Sequence, residues 1–142
     1  MPILGFRDRK STATVFCLSP FFCLTLTGNQ DWAVTSTTYY YGGSSATVPA
    51  ALSDNQSASM STVVSGYKTV TFYWKVSSEA NYDFLIFYID GVAKAKISGS
   101  TSWAQKTFTV TSGSHTYKWT YSKDSSVSNG LDTAWVDKLE LH

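Results

Sequence analysis

The sequence predicts an all-β protein: two antiparallel sheets packed as a β-sandwich, with jelly-roll connections. Three observations predict it. After residue 30 nearly every window reads as a short strand or a turn, and none carries a convincing helical period. Aromatic residues make up 15% of the chain and charged residues another 15%, a balance suited to pleated, half-buried surfaces rich in Tyr, Trp and Thr. The strands recur at short, regular spacing with polar turns between them. The Cys pair and buried-Trp spacing of an antibody-type domain are absent, which favours the jelly-roll connection over the immunoglobulin kind.

The length of 142 residues fits one domain with one core. A chain of this size buries roughly two thirds of its unfolded surface, so it needs neither metal nor disulfide merely to fold. The formal net charge is +1. A nucleic-acid partner, which needs a concentrated basic face, is therefore not expected.

The first residues, MPILGFRDRK, carry Arg7, Asp8, Arg9 and Lys10, and the apolar run VFCLSPFFCLTL follows. That is the order of a signal peptide, a positive segment and then an apolar one of roughly ten residues. The run is too short to span a bilayer as a helix. Pro20 interrupts it, and no A-x-A cleavage site is visible. The other reading makes CLTLT (23–27) the first strand, because Leu24 and Leu26 alternate with Thr25 and Thr27. A signal-like extension over 1–22 leading directly into a sandwich module over 23–142 reconciles the two. Cys17 and Cys23 have no His or further Cys beside them, which argues against zinc. A disulfide closing this small loop and two free apolar thiols both fit.

Trp32 to Tyr41 is β-branched and aromatic and ends at Gly42-Gly43. Ala46 to Ser65 is small and polar; it holds the sequon Asn55-Gln56-Ser57, and Ala58, Met60 and Thr62 alternate with serines. Val70, Phe72, Trp74 and Val76 alternate with polar neighbours and define one buried face. FLIFYI (84–89) is apolar on both faces, which reads as a central strand covered on both sides. Asp90-Gly91 is a hairpin signal, because a type I′ turn needs positive φ at both central positions. Val92 to Ile97 returns with Lys94 and Lys96 outward. WAQKTFTV (103–110) is the next strand, closed by Ser112-Gly113. HTYKWTY then puts His115, Tyr117, Trp119 and Tyr121 on one face, and Trp135 to Leu141 is the last strand.

Parity places the connections. If successive strands run antiparallel, Asp90-Gly91 and Thr111 to Ser114 share one end of the sandwich. Loops 77–82, 98–102 and 122–133 share the other. That rim contains or adjoins Glu79, Tyr82, Asp83, Trp103, Lys123, Asp124 and Asp132.

No nucleophile or metalloprotease motif is present: there is no G-x-S-x-G and no H-E-x-x-H. His142 is the last residue, and His115 reads as an ordinary strand-end residue. A glycosidase pair assembled from Glu79 and Asp132 is not demanded by the spacing, so the reading is non-catalytic. Asp137 shares the parity of Trp135, Leu139 and Leu141, so a regular strand aims it at the core. A buried carboxylate needs a lysine, backbone donors or a cation. Hard oxygen donors in loop geometry suit calcium, with Asp137, Asp132 and Asp31 as candidate ligands. The alternative for Asp137 is hydrogen bonding to backbone N–H groups at a strand bulge. For a sugar, whose apolar C–H faces stack on flat rings, the candidates are Trp103 and Tyr82 with Asn81 and Asn129, flanked by the carboxylates of Glu79 and Asp124. The plain alternative for each aromatic is core edging.

The run TFYWKVSSEANYDFLIFYIDG, the strand from Trp103 and GSHTYKWTYSKDSSVSNGLDTAWVDKLEL together resemble an extracellular β-sandwich domain, one found as a repeated or C-terminal module in large secreted bacterial proteins. It is similar to the jelly-roll modules of MAM and gingipain-type adhesin domains and to carbohydrate-binding modules. The match runs from about Asn55 to Leu141, with a weaker tail back to Cys23. The resemblance implies a secreted, non-catalytic module of a larger multidomain chain that binds a glycan or another cell-surface component. It also implies a structural calcium held by an acidic residue of the last strand, for which Asp137 fits, with Asp132 as a second ligand. The alternative function is an adhesion or spacer domain for protein–protein contacts.

Overall fold

The computed structural model describes residues 3–4, 15–19, 22–49, 52–125 and 130–142. In chain order the strands are β1 (Ile3–Leu4), β2 (Val15–Ser19), β3 (Phe22–Gly28), β4 (Ala33–Thr35), β5 (Ser45–Thr47), β6 (Ser57–Ser65), β7 (Thr69–Ser77), β8 (Phe84–Ile89), β9 (Val92–Ile97), β10 (Ala104–Thr109), β11 (Ser114–Ser122) and β12 (Thr133–Leu141). One sheet, here the platform sheet, has the order β10-β7-β12-β5-β4, with β1 also on β12; the other, the back sheet, runs β2-β3-β6-β11-β8-β9. All pairings are antiparallel. From β6 onward the chain alternates between the sheets at every step except the β8–β9 hairpin, which stays in the back sheet.

The core follows the predicted alternation. Val70, Phe72, Trp74 and Val76 of β7 face Leu24, Leu26, Ala58, Met60, Leu85, Phe87, Tyr117, Trp119 and Tyr121 of the back sheet, all buried. Phe72 lies at the centre, its ring 4.6 Å from Phe87, 5.3 Å from Trp119 and 5.5 Å from Trp74. The close approaches to Trp119 and Trp74 are edge-on, the arrangement aromatic quadrupoles prefer.

Three expectations change. FLIFYI is not covered on both sides: burial alternates along β8, and only Leu85, Phe87 and Ile89 point inward. The outer rings of Phe84 and Tyr88 are half-covered by ammonium groups instead, Lys96 at 4.5 Å and Lys118 at 4.6 Å. At the N-terminal end, β3 carries Leu24 and Leu26 into the core, as the strand reading expected. Residues 15–19, within the expected extension, are themselves an edge strand whose Cys17 registers with Cys23. Cys23 is disulfide-bonded.

The third change concerns β12. Ala134 and Val136 face the core, and so do Leu139 and Leu141, which have the opposite parity. The register slips between Asp137 and Glu140, and Lys138 takes φ 48° there. This β-bulge flips the side chains. Trp135 and Asp137 therefore lie on the outer face of the platform sheet and not on the core side that a regular strand would give them. The Lys75 ammonium sits 5.7 Å above the Trp135 ring on that face.

The turn at Asp90-Gly91 has φ 52° and 81°, as the type I′ hairpin requires. Asp90 is also a connector: one carboxylate oxygen accepts the Thr116 N–H at 2.8 Å and the other lies 2.7 Å from His115 Nδ1.

Candidate functional site

Two features compose the candidate site: an aromatic surface on the platform sheet and an acidic cluster at the rim beside it.

The aromatic surface starts from register. Gln105, Tyr73 and Asp137 lie opposite one another across β10, β7 and β12, and Lys75 lies opposite Trp135 in the next row. Opposed residues share a face. The segment between β4 and β5 turns on Gly42 (φ 72°) and Gly43 (φ 89°), a backbone path that glycine adopts without strain. It lays Tyr40 on Tyr73, with ring centroids 3.8 Å apart and planes 13° from parallel. Trp103, immediately before β10, stands 6.1 Å from Tyr40 at 59°. The Lys138 ammonium lies 5.0 Å from the Tyr41 ring and 5.8 Å from Tyr73. Tyr39, Tyr40 and Tyr41 are 48%, 44% and 43% exposed, so their free faces meet solvent.

Asp137 holds this loop down. Its Oδ2 accepts the backbone N–H of Tyr40 at 2.7 Å and of Tyr41 at 2.8 Å, and its Oδ1 accepts the N–H of Lys138 at 2.7 Å. Asp137 is fully buried. Burial pushes its carboxyl above the usual range, while the three N–H donors and the Lys138 ammonium pull it back down.

At the rim the three predicted loops meet. Ser78 N–H donates to the Gly99 carbonyl at 2.9 Å, and Asn81 N–H to Ser98 Oγ at 2.9 Å. Leu131 N–H donates to Ser77 Oγ at 2.8 Å, and Asp124 N–H to Asp83 Oδ1 at 2.9 Å. A further segment joins them, since Asn55 N–H donates to the Asp124 carbonyl at 2.7 Å. Gly130 fits here because an added Cβ would stand 2.6 Å from Ser77 Oγ.

Oxygen atoms of Glu79, Asp83 and Asp124 lie within 4.8 Å of one another. Asp83 is fully buried. Behind it, Lys123 Nζ lies 3.7 Å from Asp83 Oδ2 and bonds Asp132 Oδ2, while the Tyr121 hydroxyl donates to Asp132 Oδ1 at 2.7 Å. Burial and the Asp132 carboxylate drive the Tyr121 phenol far above its ordinary range. Burial works against the Lys123 ammonium, but Asp132, Asp83 and Asp54 outweigh it and hold its pKa up. Burial raises Glu79, and Asp124 and Asp83 raise it further.

The sequence-predicted residues are thus divided. Glu79 and Asp124 join the acidic cluster. Asn81, with φ 68°, and Tyr82, 58% exposed, sit on the same loop facing solvent. Trp103 belongs to the aromatic surface. Asn129 lies outside the described residues. Of the metal candidates, Asp137 is engaged by backbone donors, Asp132 by Lys123 and Tyr121, and Asp31 is half-buried just before Trp32. Among the described residues none of these three belongs to a cluster of close carboxylates; that cluster is Glu79, Asp83 and Asp124. Tyr40 and Tyr73, which build the aromatic surface, lie outside the sequence-predicted set. An aromatic at an outward-parity position, as Tyr73 is in β7, was the available signal.

No protein-family model and no curated protein matches the chain. Solved structures do match in fold. The secreted serine protease VesC from Vibrio cholerae superposes with a TM-score of 0.62 at 17% identity over 79% of this chain, which spans only 24% of that protein. TmCBM61, solved in complex with β-1,4-galactotriose, gives 0.60 at 11% identity, covering 84% of this chain and 87% of that one. The K2 cleaved adhesin domain of Lys-gingipain gives 0.60 at 14%, covering 84% and 88%. The chain shares its β-sandwich fold with these three structures. No helix among the described residues is long and apolar enough to cross a membrane.

Proposed function

We propose that this chain is a secreted, non-catalytic module that binds carbohydrate on the outer face of its platform sheet, as part of a larger protein. One observation carries the reading: Tyr40, Tyr73 and Trp103 form a continuous, partly exposed aromatic array flanked by Lys138 and Gln105. The C–H face of a pyranose stacks on such rings, and its hydroxyls take the neighbouring ammonium and amide groups. The order imposed by Asp137 means little loop entropy is lost on binding. The likeness to TmCBM61, whose ligand is a galactotriose, supports the class of ligand without fixing the sugar.

A hydrolase has less support: among the rim carboxylates Asp83 is closed to solvent, and Asp132 is held by Lys123 and Tyr121.

Affinity electrophoresis against plant, algal and bacterial polysaccharides tests the proposal. Retardation by at least one polysaccharide, abolished by Trp103→Ala and Tyr40→Ala in folded protein, is the expected result. No retardation by any would transfer the module to the adhesion or spacer role.

A further inference from the structure

We propose that Glu79, Asp83 and Asp124 form a calcium site at the rim, distinct from the aromatic surface, which ties the β7–β8 loop to the residues that follow β11. Four observations converge. The first is spacing: oxygens sharing one calcium at about 2.4 Å lie no more than about 4.8 Å apart, and the three side chains present oxygens within that limit.

The second is an unmet demand. Asp83 is fully buried, yet its Oδ2 accepts no hydrogen bond, and neither does the buried Oε2 of Glu79. Buried carboxylate oxygens are costly without a donor or a cation. The Lys123 ammonium meets that demand only in part: it bonds Asp132 and forms an ion pair with Asp83 Oδ2 at 3.7 Å without a hydrogen bond, and Glu79 Oε2 accepts none either.

The third is charge. Glu79, Asp83, Asp124, Asp132 and Asp54 all act on this corner, and Lys123 is the ammonium that opposes them. Like charges this close repel one another. A divalent cation would neutralise the cluster.

The fourth is donor type. The group contains carboxylate oxygens and neither His nor Cys, which excludes the usual zinc set. Three carboxylates from two loops give an adaptable set of hard oxygen donors, which suits calcium better than the smaller magnesium with its demand for near-ideal octahedral geometry.

The test uses the whole chain, calcium chloride and EDTA, with no polysaccharide present, so it stands apart from the carbohydrate reading. The expected result is a higher melting temperature in calcium than in EDTA, with calorimetric binding of one calcium weakened at least about tenfold in Glu79→Gln and in Asp124→Asn. In EDTA, Glu79→Gln should melt at or above the unsubstituted protein, because the repulsion is relieved. A melting temperature indifferent to calcium overturns the proposal. So does a Glu79→Gln variant that is destabilised equally in calcium and in EDTA, which would make the cluster a purely structural network. Asp124 is only partly buried, so its variant keeps the test available if replacing Asp83 prevents folding.

Discussion

The carboxylate of Asp137 accepts the backbone N–H of Tyr40 at 2.7 Å, across 97 residues of sequence. This bond fixes an aromatic loop to the last strand of the platform sheet. The same carboxylate takes the Tyr41 and Lys138 N–H groups, so a single side chain serves both the loop and the bulge that aims it outward. Sequence reasoning weighed backbone donors at a bulge against a cation for Asp137, and the geometry has the backbone donors.

Replacing Asp137 with Asn puts an amide N–H against N–H donors that need an acceptor. The buried groups left unmatched cost about 1–3 kcal/mol. Urea unfolding should show a lower midpoint with an unchanged slope. Because Tyr40 loses its anchor, polysaccharide retardation should fall as well, even at temperatures where the variant is fully folded. Full retention by a destabilised variant would detach the loop from binding.

Phe72 tests the core. It is fully buried between both sheets and packs on Trp74, Phe87 and Trp119. Phe72→Ala should cost about 3–5 kcal/mol, the range for removing a large buried ring. A loss below about 1.5 kcal/mol would mean that the site collapses around the cavity.

Most strands from Val70 to Tyr121 were legible because their apolar residues alternate, and the parity that follows from them brings the rim loops together correctly; FLIFYI, apolar at every position, hid which of its faces is the outer one. β12 was not legible in the same way. Its bulge turns on Lys138 at φ 48°, and a lysine gives no hint of a left-handed position that glycine or asparagine would have signalled. One extra residue reversed the faces of Trp135 and Asp137, and with them the location of the aromatic surface. Tyr73 was visible as an outward aromatic, but its partner Tyr40 comes from a loop 33 residues away whose path over the sheet depends on Asp137. No local pattern encodes that contact. The acidic cluster was half legible: parity placed Glu79, Asp83 and Asp124 at one rim, while their mutual spacing is set by backbone bonds between loops.

On the aromatic surface, Trp103→Ala should remove about 2 kcal/mol of glycan affinity, roughly thirtyfold, as loss of a central aromatic anchor does. Trp103 is only partly buried and sits outside the core cluster, so the melting temperature should hardly change. Tyr82→Ala, on the neighbouring loop and away from the stacked rings, should leave affinity nearly intact. Equal losses from both substitutions would spread the binding surface over the rim and contradict a site confined to the platform sheet.

At the opposite end of the sandwich, His115 and Asp90 make stability depend on pH. The hydrogen bond that His115 donates to Asp90, with a smaller contribution from the one to the Thr111 carbonyl, raises His115 above its ordinary value. The Thr116 N–H, and after it His115, lower Asp90. For the histidine, whose folded pKa is raised, the stabilisation is complete below about 6.5 and is lost as pH rises through the folded value. For the aspartate, whose folded pKa is lowered, it is present above about 3.9 and is lost as pH falls through the folded value. The pair therefore contributes most between those limits. The melting-temperature gap between the unsubstituted protein and His115→Gln should be widest there and should narrow from about pH 6.5 upward. An NMR titration of the His115 ring checks the cause directly: a midpoint above about 6.5 that drops in Asp90→Asn confirms the pair, and a midpoint unmoved by that substitution removes Asp90 as the source of the shift.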